Sequence, residues 1–446
     1  MMGSLSISQI FHCKKIRRSC RLESKEKAET FEKRIKDGPL GYFEILPLEL
    51  KFHLLSYIPV EDLSMLTISS KNMRNLIEVY RLTNNAKRHL MSKPLTHTVM
   101  SIRDQITYVE QFKKLGLLMK RSTCLYTTKD RLRIVERFLS KYLCGNADKC
   151  TDPTHCIALV CFGKFLHTVL NGWDDMELIR TFETMSINSY MWKNLGIIVN
   201  SKPGSNPKHE YHARLFYRRV FLDQVEKVQD RIFWITRILK PWPMVHQARL
   251  LFLLYGPVSA EEIQWYDVCE NCPANRHQAK LCFGDIADIL RLLHTQGKEW
   301  SEDDIISVLD EITSSPDDWL AENVAHLLFQ CGDQLTLKVM GSKAVNGRLA
   351  ELASIITSLC LVCIKQDCPM TWVTAIVHRI SSILDSSKDK QMFMSCIIDT
   401  FREVIIDLHE FSVDADEDRD IDFQYVLDAQ SEFLKEMLSL STGKPT

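Results

Sequence analysis

Four residues in the second half of the sequence have the spacing of a small zinc site: Cys269, Cys272, His277 and Cys282. Three thiolates and one imidazole can surround a tetrahedral zinc ion. Compact sites with this spacing normally use glycines to wrap the chain tightly, and the residues between these four include none. Cys282 also leads directly into an apolar helical stripe that begins at Phe283. Chance spacing is therefore the preferred interpretation, and we expect no structural zinc.

A second group of thiols and imidazole lies further upstream, and its spacings fit no zinc template: Cys144, Cys150, His155, Cys156 and Cys161. The sequence contains 15 cysteines, a number that raises the question of disulfides. The first 13 residues, however, lack the basic start and long apolar stretch of a secretory signal. This pattern is typical of a reducing compartment, where most cysteines serve as small buried apolar residues and disulfides are not expected.

Three arginines lie about one turn apart on a predicted helix, with His212 nearby: Arg214, Arg218 and Arg219. Guanidinium groups so arranged can grip a phosphorylated side chain, although a solvated helix face is the more usual outcome. Trp242, between two prolines, is interpreted as a packed turn between helices rather than a ligand cage.

Enzyme signatures are missing from the sequence. It has no Walker loop, no G-x-G-x-x-G, no G-x-S-x-G and no H-E-x-x-H, and it lacks the eight ordered ligands of a ring-type ligase domain. We therefore expect a binding protein without catalytic residues, a metal ion or another cofactor.

The composition gives the molecule no strong overall electrostatic field of either sign. The 446 residues include 56 Lys and Arg against 57 Asp and Glu, so overall charge gives no argument for nucleic acid or a membrane as a partner. The longest weakly polar run, 352–364, is too short to span a bilayer. The expectation is a soluble intracellular protein of the cytoplasm, the nucleus or both.

Residues 1–38 differ from the rest, with ten Lys or Arg against five acids and few large apolar side chains. Such a stretch cannot offset its ordering entropy by burial, so we interpret it as a disordered basic arm. Its basic run 14–18 is either a nuclear import signal, a phosphate contact or, in the preferred interpretation, part of a solvated tail.

From Tyr42 onward, the apolar residues recur at helical spacing and the alternation of a strand is hardly found. Ser301 and Asp304 form a predicted capping box, and Pro316 is placed at a predicted helix start. We expect an all-α fold, with helical stripes in 131–143, 211–225, 230–239, 245–255, 283–294, 347–364, 371–384, 389–409 and 422–438.

One stretch near the beginning carries the most specific pattern. It contains a Leu-Pro-x-Glu-Leu start, a spaced Leu-Leu-x-Tyr-Ile, an Asp-Leu pair and a Ser-Lys pair, at residues 46–50, 54–58, 62–63 and 70–71. Pro47 is predicted in a first helical turn, and Pro59 is predicted to end that helix. Three short helices make a small core, so apolar residues stay exposed unless a partner or the rest of the chain covers them.

This pattern resembles the F-box family, whose members dock onto the Skp adaptor of cullin-based ubiquitin ligases. The resemblance implies a three-helix F-box over 42 to about 82. It also implies a set of adaptor-binding residues whose inward and outward members the spacing cannot separate: Leu46, Pro47, Leu50, Leu54, Leu55, Ile58, Leu63 and Leu66. Segments 234–245 and 342–348 are similar to members of the F-box class that has no recognised substrate domain.

The sequence thus predicts four regions: a basic arm (1–38), the F-box (39–85), a helical substrate-binding or scaffold region (86–440) built as an irregular stack of antiparallel helix pairs, and a short disordered tail (441–446). The implied role is that of a substrate receptor, which binds the Skp adaptor, through it a cullin, and a protein substrate. We expect the arm to be dispensable for adaptor binding. The alternatives are a non-degradative F-box scaffold and a nucleic-acid-associated protein that uses the basic arm and the Cys269 group.

Overall fold

The computed structural model describes residues 25, 29, 40–90, 101–134, 154, 156–188, 190–411 and 417–442. The predicted arm, apart from two residues, and most of the predicted stripe 131–143 therefore lie outside the described residues. Helices dominate the described part, so the predicted all-α class is confirmed. The chain divides into two compact units: Met1–Pro94 with Glu110–Arg131, and Leu95–Val109 with Leu132–Thr446.

From residue 40 onward, the described part of the first unit contains a short 3-10 helix, Gly41–Ile45, followed by closely spaced α-helices. These are α1 (Leu48–Leu55), α2 (Val60–Ser69), α3 (Lys71–Arg81), α4 (Asn84–Leu90) and, from Glu110 onward, the second half of α5 (Ile102–Ser122).

The second unit is built from a longer series of helices and one small antiparallel hairpin, β1 (Val258–Ser259) with β2 (Glu262–Ile263). The helices are α6 (Ala158–Leu170), α7 (Asp175–Asn188), α8 (Tyr190–Asn200), α9 (Pro207–Tyr217), a π-helix (Arg218–Leu222), α10 (Val228–Leu239), α11 (Met244–Tyr255), α12 (Asp267–Glu270), α13 (Arg276–Gln296), α14 (Glu302–Thr313), α15 (Ala321–Cys331), α16 (Asp333–Val345), α17 (Leu349–Lys365), α18 (Thr371–Ile383), α19 (Ser387–Phe411) and α20 (Glu417–Thr442).

From α10 onward, the longer helices alternate between two rows, and each packs against the next helix of its own row. One row contains α10, α13, α15, α17 and α19, and a second row contains α11, α14, α16 and α18. Each helix therefore contacts mainly its neighbours in a row and the helices next to it in sequence, as in helical-repeat proteins. The terminal helix α20 packs on α17, α18 and α19.

The local helix signals are only partly accurate. The capping box is confirmed: the Ser301 hydroxyl accepts from the Asp304 N–H (3.0 Å), and the Asp304 carboxylate accepts from the Ser301 N–H (2.9 Å). The predicted helix start at Pro316 is wrong, because α15 begins only at Ala321. The intervening residues are not helical, and they place the buried Trp319 ring against Phe252 and Phe283.

The strongly apolar helix α17 lies at the centre of the stack, where it packs against α15, α16, α18, α19 and α20. Most of its side chains are buried, including residues from nearly every turn between Leu352 and Cys363. This explains its long apolar run as part of the core of the helical stack. Among the helices of the described segments, none has a stretch both long and apolar enough to cross a bilayer.

An ion-pair network around one buried lysine ties α14, α16 and α17 together. The ammonium group of Lys343, almost fully buried, lies 2.8 Å from Asp310 and 2.6 Å from Glu351. Arg348 contacts the same two carboxylates, at 3.1 and 2.6 Å. Because a buried charge is costly unless it is paired, this network specifies how the three helices fit together.

The π-helix has an unusually close neighbour on α6. A Cβ atom added to Gly163 would overlap the carbonyl oxygen of Arg219 and lie 2.9 Å from that of Val220. One turn further along α6, Nε2 of His167 donates a hydrogen bond to the Val220 carbonyl oxygen (2.9 Å). The small residue thus leaves room for the irregular turn, and the ring donor satisfies one of its backbone carbonyl groups.

Acidification should weaken the second unit through His167. Burial lowers the pKa of this histidine to about 4, whereas an exposed imidazole titrates near 6.5. The contribution of the neutral, buried imidazole to the free energy of unfolding is fully present above pH 6.5. It is lost as the pH falls toward 4, because the imidazole of the unfolded chain is protonated in this range while that of the folded chain is not. At pH 5 the loss should approach about 2 kcal/mol. Denaturant unfolding at pH 7.5 and pH 5 should show this loss in the wild type, and a smaller loss in His167→Gln, which does not titrate. Equal losses would contradict the assignment.

Candidate adaptor-docking surface

The helices of the F-box stretch begin at residues that suit helix N-termini. Pro47 is the N-cap of α1, one residue before the first turn in which the sequence places it, and its carbonyl oxygen accepts from the Lys51 N–H (3.1 Å). Pro59 similarly precedes α2, whereas α1 already ends at Leu55. Ser70 caps α3 by accepting from the Met73 N–H (3.0 Å). Prolines without an N–H and a serine cap leave few donors unsatisfied.

The core of this unit is formed by the inward sides of α1, α2 and α3. Leu55 and Leu63 are 1% and 0% exposed, and both belong to the predicted adaptor-binding set. The ring of Phe52 lies 5.7 Å from that of Tyr80, whose hydroxyl contacts Nδ1 of His89 (3.0 Å). Leu55 and Leu63 therefore hold the helices together and do not present surface.

The other members of the predicted set lie further outward. Leu50 and Leu54 are 49% and 43% exposed, four residues apart and on one side of α1. Pro47 is also exposed, and the remaining three members of the set are partly buried: Leu46, Ile58 and Leu66. The structure thus divides the eight residues into two core residues, three exposed residues and three at the boundary.

Sequence reasoning missed several exposed apolar side chains in the same unit: Tyr42, Ile45, Leu48, Tyr57, Met65, Ile68, Val79 and Leu82. Tyr57, at 73% exposed, is the most open of them. Two of the missed residues, Leu48 and Tyr57, lie inside the quoted motif, so the motif itself was the available signal. Spacing could not show which sides of such short helices the rest of the chain leaves uncovered. Clustered exposed apolar side chains of this kind mark an interaction surface.

The zinc-like group is distributed over separate elements. Cys269 lies in α12, where its thiol contacts the carbonyl oxygen of Asp317 (3.4 Å), while His277 and Cys282 lie in α13. Burial raises the pKa of both Cys269 and Cys282, which disfavours the thiolate form that zinc requires. Within the described segments, no three or more His, Cys, Asp or Glu side chains are grouped so that they could hold a metal ion.

The second cysteine group falls partly on residues that are not described, since Cys144, Cys150 and His155 lie outside the described segments. Cys161 is fully buried in α6, and burial raises the pKa of its thiol to about 12. It serves as a small apolar residue of the core.

The arginine group forms neither the expected solvated face nor an open phosphate grip. Arg214 donates to the Leu253 carbonyl oxygen (2.9 Å), and Arg219 donates to the carbonyl oxygens of Thr154 and Cys156. Arg218 pairs with Asp223 and Asp285 and lies over the Tyr255 ring. All three guanidinium groups are therefore occupied by partners within the chain, Arg214 from α9 and Arg218 and Arg219 from the π-helix.

Trp242 lies in the turn between α10 and α11, as the sequence suggested. The ring is partly buried and meets His246 edge-on, with 6.2 Å between ring centroids. Its neighbour Gln247 donates to the Trp242 carbonyl oxygen (2.7 Å), so the turn is fixed by packing and backbone hydrogen bonds.

Comparison with known proteins agrees with this architecture. A family model described as "FBXO47, ARM repeats" matches residues 187–443. Human F-box only protein 47 is 35% identical over 413 residues, which cover 91% of this chain and 90% of the human protein. The mouse protein of the same name is 35% identical over 410 residues, 90% of each chain. No solved structure matches the chain. With a helical stack in the matched region and an F-box pattern ahead of it, the chain belongs to the F-box only protein 47 family.

Proposed function

We propose that this chain is the substrate-recognition subunit of a Skp–cullin–F-box ubiquitin ligase. The observation that carries the proposal is the exposed apolar surface of the first unit, centred on Leu50 and Leu54 within the F-box pattern. Burial of such side chains at a protein interface supplies most of its binding energy through a few anchors. The Skp adaptor is the proposed occupant, because family members are F-box proteins and this surface lies in the F-box stretch.

The proposed mechanism requires no catalytic residue in this chain. The F-box is tethered through the adaptor to a cullin, and the helical stack holds a protein substrate near a ubiquitin-transfer enzyme. Holding the two reactants together raises their effective concentration. The proposed work of this chain is therefore recognition and positioning.

The second unit is proposed as the substrate-binding region. Helical-repeat stacks offer long surfaces on which successive helices each contribute a few side chains. The proposed chain has four regions: a basic arm at 1–38, an F-box at 39–85, the helical region at 86–440 and a tail at 441–446. The proposed location is the cytoplasm, the nucleus or both, without a membrane or nucleic acid as a partner.

Reconstitution tests the proposal directly. The purified full chain, mixed with a Skp-type adaptor and a cullin, should elute with both as one complex in size-exclusion chromatography. In cells, proximity labelling with and without proteasome inhibition should reveal proteins that accumulate near the chain only when degradation is blocked. Absence of adaptor binding would overturn the proposal. Adaptor binding without any such accumulation would favour a non-degradative scaffold.

A further inference from the structure

The F-box stretch has a small core of its own. Between residues 42 and 82, five apolar side chains are buried: Leu55, Leu63, Leu76, Ile77 and Tyr80. The helices α1, α2 and α3 have 8, 10 and 11 residues. Helices of this length are marginal in water, and a core this small rarely stabilises a fold alone.

A second segment nearly doubles that core. Glu110–Arg131 belongs to the same compact unit and contributes four further apolar side chains that are at most 2% exposed: Phe112, Leu115, Leu118 and Met119. The unit is thus assembled from two stretches of chain that are separated in sequence.

Polar contacts fix this segment against α2. Arg121 donates to the hydroxyl of Ser64 (2.9 Å), a fully buried polar side chain. The ammonium group of Lys114 forms an ion pair with Glu61, one turn earlier on α2, and this pair lowers the pKa of the Glu61 carboxyl group. Ser64 and Leu66 differ by about 200° around the helix, so Arg121 contacts the side of α2 roughly opposite Leu66.

The same segment also contacts α3. Nη1 of Arg81 lies 2.6 Å from the sulfur of Met119, and the hydroxyl of Tyr126 donates to the Glu78 carboxylate. Contacts to both helices from one segment set the position of α2 relative to α3. The exposed side of α1, with Leu50 and Leu54, remains uncovered.

We infer that the docking module is bipartite: residues 110–131 complete the F-box and hold α2 in the position that the adaptor recognises, with Lys114 and Arg121 as positioning residues. The part of this inference that concerns adaptor binding rests on the proposed function. It places part of the docking module beyond residue 85, where the family pattern ends.

A charge-reversal experiment in the full chain tests the inference. Lys114→Glu places two carboxylates opposite each other at Glu61 and should increase amide hydrogen exchange in residues 60–69. Adaptor affinity should fall about fivefold, since an exposed pair is a modest interaction. The swap Glu61→Lys with Lys114→Glu restores the pair and should recover both readouts. The matched control is Lys113→Glu, because among the described residues Lys113 pairs within its own helix, with Glu110 at 3.5 Å.

The two readouts separate the possible failures. If the unaltered chain does not bind the adaptor, the proposed function fails, and hydrogen exchange alone decides the bipartite module. Exchange that rises in Lys114→Glu and returns in the swap supports the inference. Exchange in Lys114→Glu equal to that in Lys113→Glu overturns it. Altered exchange with unchanged adaptor affinity overturns the positioning role.

Discussion

Aspartate at both Leu50 and Leu54 should abolish adaptor binding while leaving the fold intact. Both side chains are about half exposed and share one side of α1, so charges there cost little in the free chain. In a complex, each aspartate would be buried at the interface without a partner for its charge. Each would also replace a leucine anchor that contributes about 2 kcal/mol or more to the binding free energy. The combined loss corresponds to at least about a thousandfold in affinity. Isothermal titration with the purified adaptor measures it.

Leu281→Asp provides the matched control for this experiment. Leu281 is 68% exposed but lies on α13, in the second unit, so its replacement should leave adaptor affinity unchanged. Circular dichroism and thermal melting should be the same for both variants and the wild type. Wild-type affinity in the double variant would remove this surface from consideration as the docking site. By contrast, Leu55→Ala or Leu63→Ala tests the core and should lower stability first.

Gly163→Ala should destabilise the second unit by about 2 to 3 kcal/mol. In most helices this change is favourable, because glycine loses more conformational freedom on folding than alanine. Here the new methyl group would overlap carbonyl oxygens of the π-helix, including Val220, and would lie 2.7 Å from Cγ of Gln224. Backbone cannot move aside as a flexible side chain can, so the overpacking cost exceeds the helix gain. The midpoint of urea unfolding measures the difference.

Gly284→Ala is the corresponding control in α13. The added Cβ would lie 3.4 Å from Oε1 of Gln330, at the end of a flexible side chain. This variant should be neutral or stabilised by up to about 1 kcal/mol. Equal midpoints for the two variants would show that the π-helix yields to the methyl group.

The helical period was sufficient to predict the all-α class and most of the long helices of the second unit. The capping box at Ser301 was also readable, because it depends on residues only three apart. Pro316 failed as a helix start, since packing of Trp319 between Phe252 and Phe283 outweighed the local preference. The π-helix at 218–222 was missed for a similar reason, because its partners lie on α6, more than 50 residues earlier.

The proposed docking residues show the same division. The F-box pattern indicated a stretch of the chain, but it could not say that Leu63 faces inward while Leu54 faces outward. That assignment depends on what covers each side of a short helix. Here the cover includes residues 110–131, which the pattern does not contain. Sequence spacing therefore finds such a module more reliably than it finds the module's faces or its limits.

The alternation of helices in two rows limits how far a local change can spread. Each helix from α10 to α19 is held mainly by its nearest neighbours, so loss of one helix pair weakens the adjacent pairs and has little direct effect on distant ones. Substitutions can then accumulate independently at different points along the stack. In the proposed role as a substrate receptor, a family with this architecture can change what one stretch of the stack binds through the exposed side chains of a single helix pair, while the remaining helices stay the same.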